Sequence, residues 1–384
     1  MRASLSSIIS LGHAVNDLYS NSISGLLPLI TSLFGLSYLF AGVVATVFNV
    51  TSSILQPVFG HWFDRTHVPW LLEAGLVVNC LGMSLLGFSS SYVLLLFLVG
   101  SAGLGSAAFH PPAFSSIVRS SESSRGKAMG VFLSGGNTGY FLGPFVAGAL
   151  GSAFGLSGML CLLPMGLLVS ALLYRFSRKG IAQTHEIALD HRGANKRLVG
   201  LLAVITALRS VTVQTTVTFL PLYFVAGGQS LLVATGIASV WLGVAVLGQL
   251  LGGRLSDRVG RTPVIASSLL IGAVLFYAFL LTNGAVSLIL LALSGAALFA
   301  NWSVIVVMAS EAAPSNVGAV SGLMLGFSIG VGGIAALGFG ALADAFGMGP
   351  AFLDITIFAL IAGLLALFLP RFMKQPVYPA TIAS

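Results

Sequence analysis

Gly60-His61-Trp62-Phe63-Asp64-Arg65 and Gly253-Arg254-Leu255-Ser256-Asp257-Arg258-Val259-Gly260-Arg261 are two versions of one phrase, with the glycines and the Asp-Arg pairs both offset by 193 positions. A second pair of segments, Arg125-Gly126 to Gly130 and Val317-Gly318 to Gly322, repeats with its glycines 192 positions apart. Two separate matches at nearly one offset imply a duplication about half the chain long. The phrase itself has a physical use at a helix end. Its glycine admits close approach of a partner helix, its aspartate can face the positive N-terminal end of that helix, and its arginine can bridge to a carboxylate or carbonyl. One copy alone reads equally well as solvated turn charges, but two at matched positions argue for a device. Gly60, Asp64, Arg65, Gly253, Asp257, Arg258 and Arg261 are therefore expected to act as gates.

Composition says what kind of molecule is duplicated. Of its 384 residues, 57% are hydrophobic and 7% charged, and the mean hydropathy is +1.01; a soluble domain carries about 25% charged residues. The chain is an integral membrane protein. Its 47 glycines and 14 prolines suit helices that pack closely and bend in lipid. A net charge of +7 invites a nucleic-acid partner, yet of the 17 lysines and arginines all but Arg209 stand at the ends of apolar segments or between them, so no nucleic acid is expected. Cys80 and Cys161 lie inside apolar segments without metal-ligand spacing and read as small core residues. The first apolar segment is too long and too polar at its centre for a cleavable signal peptide.

Spans of about 20 apolar residues number twelve: 5–33, 38–62, 69–88, 92–118, 124–151, 155–176, 198–225, 230–254, 262–282, 285–311, 315–342 and 347–369. The fold class expected is therefore all-α and membrane-integral, twelve helices in two pseudo-symmetric six-helix bundles, residues 1–176 and 197–384, joined by a linker, 177–196. That linker is the only long polar stretch, and its His185, Glu186, Asp190 and His191 match no standard metal spacing. Arg2, Arg65, Arg119, Arg125, Lys127, the cluster from Arg175 to Arg197, Arg254, Arg258, Arg261, Arg371 and Lys374 fall on one side of the twelve-span arrangement. The positive-inside rule makes that side cytoplasmic, with both termini on it, in a cytoplasmic (inner) membrane.

Against this background a few polar residues stand out. Gly12-His13-Ala14-Val15-Asn16-Asp17-Leu18-Tyr19-Ser20-Asn21 interrupts span one, and a carboxylate in mid-membrane costs about 2.5–3.5 kcal/mol on insertion scales. His13 shares a helix face with Asn16 and Asp17. Span four carries His110 before Pro111 and Pro112, which are expected to break or kink it. Span seven carries Arg209 and Gln214, and span ten Asn301 and Trp302, with Glu311 near its cytoplasmic end. Glu311 reads either as a cap or as a second titrating site. Glu73 reads as a snorkelling side chain, and Asp344 and Asp354 as solvated loop charges.

The Asp-Arg phrase after span two and the long linker between spans six and seven resemble the major facilitator superfamily. The resemblance narrows to the fosmidomycin-resistance efflux group through His13-x-x-Asn16-Asp17, Leu55-Gln56-Pro57-Val58-x-Gly60-x-Trp62-x-Asp64, Pro69-Trp70 and Phe109-His110-Pro111. It continues in Gly135-Gly136-Asn137-x-Gly139-x-x-x-Gly143-Pro144, Val320-Ser321-Gly322-Leu323 and Gly332-Gly333. Two departures are visible: Thr66-His67-Val68-Pro69 replaces the usual glycine and basic residues after Arg65, and Pro112 stands where the group has an acid. The stretch from Gly139 to Pro144 resembles the fifth-helix motif of antiporters in the superfamily, although small residues and a proline also serve packing alone.

The resemblance implies that spans one, four, seven and ten surround a central cavity and that the protein is a transporter, not an enzyme, working without a metal or cofactor. Asp17, His13, His110 and Glu311 are then the candidates for proton coupling. Asn16, Arg209, Gln214, Asn137, Asn301 and Trp302 are the candidates for substrate contact. Alternation of Asp17 between a dry state and one facing Arg209 or a protonated histidine would release and rebind a proton; a static Asp17–Arg209 ion pair is the competing reading. A guanidinium in the cavity suits a phosphonate or carboxylate. The expectation is export of a small organic compound in exchange for protons by a monomer in the lipid bilayer. Proton-linked uptake of a small organic anion, or a sensor without transport, would use the same residues.

Overall fold

The computed structural model describes residues 5–66, 68, 70–120, 125–177, 195–314 and 317–372. The expected linker between 178 and 194, the side chain of Asp64, and part of the basic set used to orient the chain lie outside the described residues. The first half contains α1 (Leu5–Phe34), α2 (Tyr38–Ile54), α3 (Gln56–Thr66), α4 (Trp70–Ser84), α5 (Tyr92–Ser120), α6 (Arg125–Phe154) and α7 (Leu163–Ser177). The second contains α8 (Lys196–Ala226), α9 (Leu231–Val259), α10 (Arg261–Leu281), α11 (Gly284–Ala300), α12 (Trp302–Ala312), α13 (Val317–Phe346) and α14 (Met348–Ala366).

Among the described residues, 10 helical stretches are long and apolar enough to cross a membrane. One of these, Lys127–Phe176, holds both α6 and α7, and α1 is absent from the set because its polar run dilutes its hydropathy. With α1 included and that stretch divided, the chain makes the twelve crossings expected. Two crossings are interrupted helices. The α2–α3 break falls at Leu55, where Pro57 offers no N–H to the preceding turn and disfavours helical backbone in the residue before it. The α11–α12 break falls at Asn301. By contrast α5 runs unbroken through Pro111 and Pro112, so the break expected in span four does not occur.

Helices of the two halves meet as α2 against α13, α6 against α9 and α1 against α8. Small residues set the distance: a Cβ on Gly42 would overlap the carbonyl of Ala336, and one on Gly340 that of Tyr38. Thr46 Oγ1 donates to Gly333 O at 2.6 Å across the same seam. At one end of the molecule Asn195 caps α8, its N–H reaching Ala312 O at 2.7 Å and its side chain Phe372 O at 2.7 Å. The linker end, α12 and the close of the last crossing therefore share a side. At the opposite end Asp344 of α13 accepts hydrogen bonds from Tyr38 N (2.8 Å) and Leu39 N (2.9 Å), capping α2 from the other half. The reading of Asp344 as a solvated charge misses this contact.

Candidate functional site

Asp17 sits about midway along α1, and its carboxylate lies between two imidazoles. His13 Nε2 is 3.2 Å from Oδ2, one helical turn back on the same face, and His110 Nε2 of α5 is 3.2 Å from Oδ1. The three ligand-type atoms lie within 4.8 Å of one another. Side-chain exposure is 9% for His13, 17% for Asp17 and 28% for His110, so the group is most exposed on its His110 side.

Each ring is held from behind. His13 Nδ1 is 2.9 Å from Phe132 O, and its ring stacks on Phe132 with centroids 4.1 Å apart. His110 Nδ1 is 2.9 Å from Ser106 O, one turn earlier in α5. The glycines of α6 explain how His13 fits. Gly139 lies against the carbonyl of Ala14, so α1 and α6 touch backbone to backbone, and Gly136 lies on the His13 ring itself, where any Cβ would overlap it. The glycine-rich stretch that resembles an antiporter motif is, in this fold, the groove that seats α1.

A polar network fixes the carboxylate in turn. Asn16 Nδ2 reaches Asp17 Oδ1 at 3.1 Å and Ser106 Oγ at 3.2 Å, while Asn79 of α4 donates to Asn16 Oδ1 at 2.9 Å and to Ser20 Oγ at 3.2 Å. Asn16 and Asn79 are fully buried. Interhelical hydrogen bonds of this kind contribute about 0.6–2 kcal/mol each in membranes. The Asn16 side chain is thus committed to holding Asp17. Asn79, Ser106 and Phe132 were not singled out in the sequence, and Ser20 appeared there only as part of the polar run in span one; the signals for the others were an isolated asparagine in span three and a Ser-x-x-x-His spacing in span four.

Arg209 lies elsewhere. It is 3% exposed, donates from Nε to Leu298 O at 3.1 Å, and stacks its guanidinium over Trp302 (4.8 Å) and Phe299 (5.2 Å). Among the described residues no carboxylate lies within ion-pair distance of it. The static Asp17–Arg209 pair, the competing reading of the sequence, is therefore not formed; of the two partners expected for Asp17, Arg209 or a histidine, the structure places His13 and His110 beside it. Tyr140 of α6 is within electrostatic reach of both Asp17 and Arg209.

The remaining expected residues fall in three places. Asn301, fully buried, donates to Ser268 Oγ at 3.1 Å and to Leu298 O at 3.0 Å, bracing the break that presents Trp302 to Arg209. Gln214 is packed against Gly332 of α13, and Asn137 is half-buried next to Gly136. Glu311 lies at the end of α12, where it forms an ion pair with Arg261 at the start of α10. Gly60 packs toward Pro111 of α5 and Gly253 toward Ser303 of α12, equivalent contacts in the two halves, whereas Arg65, Asp257 and Arg258 are exposed.

Similarity to known proteins agrees with this architecture. The sequence profile described as Major Facilitator Superfamily matches residues 9–324 and 202–381. The chain is 31% identical over 381 residues to the fosmidomycin resistance protein of Escherichia coli (strain K12), covering 94% of this chain and 91% of that one. It is also 31% identical over 384 residues to the MFS-type transporter YfnC of Bacillus subtilis (strain 168), covering 96% and 93%. Among solved structures, a bacterial homolog of the human lysosomal transporter Spinster, inward-facing and occupied, superposes with a TM-score of 0.83 at 16% identity, over 96% of this chain and 97% of that one.

Proposed function

Because the chain belongs to the Major Facilitator Superfamily and is a multi-pass membrane transporter, we propose that it exports a small organic anion in exchange for protons by alternating access. The observation that carries this reading is the carboxylate of Asp17 held between His13 and His110, in mid-membrane and partly open to water. Intramembrane ionisable groups of this kind mark proton relays. Arg209, with Phe299 and Trp302 on its faces and no acid beside it among the described residues, is the anion subsite. A guanidinium offers paired donors to a phosphonate or carboxylate.

Exchange demands that protons and substrate exclude one another. An anion alone would do the reverse, since a protonated triad and Arg209 are both positive and would favour binding with protons. A molecule with an acidic head for Arg209 and hydrogen-bond donors at its other end resolves this. Its donors compete with protons for the lone pairs of the triad. A substrate without such donors favours the second reading, proton-linked uptake of an organic anion, and the positive charge of the site supports that reading specifically. The name of the E. coli relative, a fosmidomycin resistance protein, supports export.

In this reading the halves 1–176 and 197–384 rock about the site. The Asp344 cap on α2 holds the end remote from the linker, taken as the outer side with both termini cytoplasmic. Gly60, Asp64, Arg65, Gly253, Asp257, Arg258 and the Arg261–Glu311 pair serve the inner side. Everted membrane vesicles, acidified inside and loaded with a pH dye, test the proposal. Fosmidomycin added outside is expected to release protons in vesicles carrying the protein; alkalinisation of the medium with uptake of both species supports symport, and no flux despite binding removes transport altogether.

A further inference from the structure

The two imidazoles present an electrostatic puzzle that fixes how many protons the site holds. A backbone carbonyl only accepts, so Nδ1 of His13, 2.9 Å from Phe132 O, and Nδ1 of His110, 2.9 Å from Ser106 O, each carry a hydrogen. A neutral imidazole has a single N–H. If both rings were neutral, both Nε2 atoms would turn a bare lone pair toward a carboxylate oxygen at 3.2 Å, which is repulsive at both contacts.

We propose that in this conformation His13, Asp17 and His110 together hold two exchangeable protons, one in each Nε2–carboxylate contact, and carry a net single positive charge. The count does not depend on where each proton rests. Two imidazolium rings around a carboxylate, or one imidazolium, one neutral ring and a carboxylic acid, have the same composition and charge. The inference builds on the reading of this triad as the coupling site and adds its capacity and its order of events. When one proton leaves, one contact becomes lone pair against lone pair and has to part. The Asp17–His13 contact lies within α1, whereas Asp17–His110 joins α1 to α5. Loss of the proton on the more exposed His110 side therefore removes the ionic tie between α1 and α5 and leaves the hydrogen bonds of Asn16 and Ser20 to Ser106, and loss of the second leaves two rings of the Nδ1–H form beside a bare carboxylate.

The surroundings leave this count undisturbed. From α4 and α5 the triad meets Asn79, through Asn16, and Ser106, neither of which ionises. From α6 it meets Phe132 and Gly136, with Tyr140 within electrostatic reach of Asp17, and Arg209 of α8 is within electrostatic reach of Tyr140. None of these supplies an acceptor or a donor to either Nε2.

Nitrogen NMR of the full chain in lipid nanodiscs, labelled with 15N-histidine and kept in chelator, reads the rings directly. Of six histidines, the two of the triad are assigned by their loss in His13→Gln and His110→Gln, or, should either variant not fold, as the pair moved together by Asp17→Asn. With Asp17 followed by 13C-aspartate labelling, the pair is expected at low pH as two imidazolium rings beside a carboxylate, or as one imidazolium and one Nδ1–H ring beside a carboxylic acid, and at high pH as two Nδ1–H tautomers. An Nε2–H tautomer at either ring, both rings neutral throughout, a neutral ring beside an ionised Asp17, or signals that follow the chelator and not pH would overturn the proposal. This outcome is independent of flux: rings that behave as expected in a protein whose transport ignores Asp17 would sink the exchange reading and leave the proton count standing.

Discussion

Asp17 of α1 and His110 of α5, 93 positions apart, meet at 3.2 Å, and this contact ties two helices together at the charged triad. A proton there is simultaneously a charge and a fastener. Its removal changes the affinity of the site and the packing of α1 against α5 in one step, which is what alternating access asks of a coupling group.

Gly136 is expected to be as intolerant as the charged residues. The added methyl of Gly136→Ala overlaps the His13 imidazole, and overpacking of this kind costs about 1–3 kcal/mol. The ring has to leave either Phe132 O or Asp17. The variant is predicted to fold, to unfold a few degrees lower in detergent, and to shift the pH profile of transport. An unchanged profile would show that the seat of His13 is not used.

Arg209 is predicted not to tolerate lysine. An ammonium offers neither the flat face that lies over Trp302 and Phe299 nor paired donors. Loss of a charge-assisted hydrogen bond costs about 1.5–3 kcal/mol, so Arg209→Lys should weaken half-saturation for an anionic substrate by about tenfold or more, and Arg209→Ala further. Equal affinity in the lysine variant would remove the guanidinium from the substrate site.

Asp344 is predicted to control which end of the molecule is closed. A carboxylate capping a helix N-terminus contributes about 0.5–2 kcal/mol. Asp344→Ala should therefore raise the population open at that end by roughly 2- to 30-fold. Spin labels at Leu33 and Gln229, in a background with Cys80 and Cys161 replaced, read the opening as a longer distance component. An unaltered distribution would make the cap a local feature of α2.

Glu311 provides the contrast. Its ion pair with Arg261 is partly exposed, with 59% exposure on the glutamate, and pairs of that kind contribute about 0–1 kcal/mol. Glu311→Gln is expected to change transport less than about fivefold and to leave its pH dependence intact. A displaced pH profile would return Glu311 to the coupling set.

The sequence makes the architecture legible because a membrane demands it: every crossing needs its apolar length, and duplicated Asp-Arg pairs mark equivalent turns in the two halves. It also exposes His13, Asp17, His110 and Arg209, since charge inside an apolar segment is costly and so conspicuous. Who faces whom is another matter. Opposite charge alone offered Asp17 either Arg209 or a protonated histidine, and the structure decides between them: Arg209 lies over Trp302 and the histidines are left to Asp17. Asp344 escaped for a related reason. Its partners are backbone N–H groups 305 and 306 positions away, and a helix N-terminus has no side-chain signature at that distance. Asn79 and Ser106 are ordinary polar residues until α4 and α5 bring them onto Asn16.

The most direct test of the central claim is proton-coupled exchange by Asp17→Asn in everted vesicles, with fosmidomycin as the added compound and the amount of membrane-inserted protein matched to that of the unaltered chain. The unaltered protein is predicted to release protons on addition, and Asp17→Asn, which keeps the shape but removes the charge that holds both imidazoles, to release none. Equal, equally pH-dependent proton release by Asp17→Asn would contradict the account.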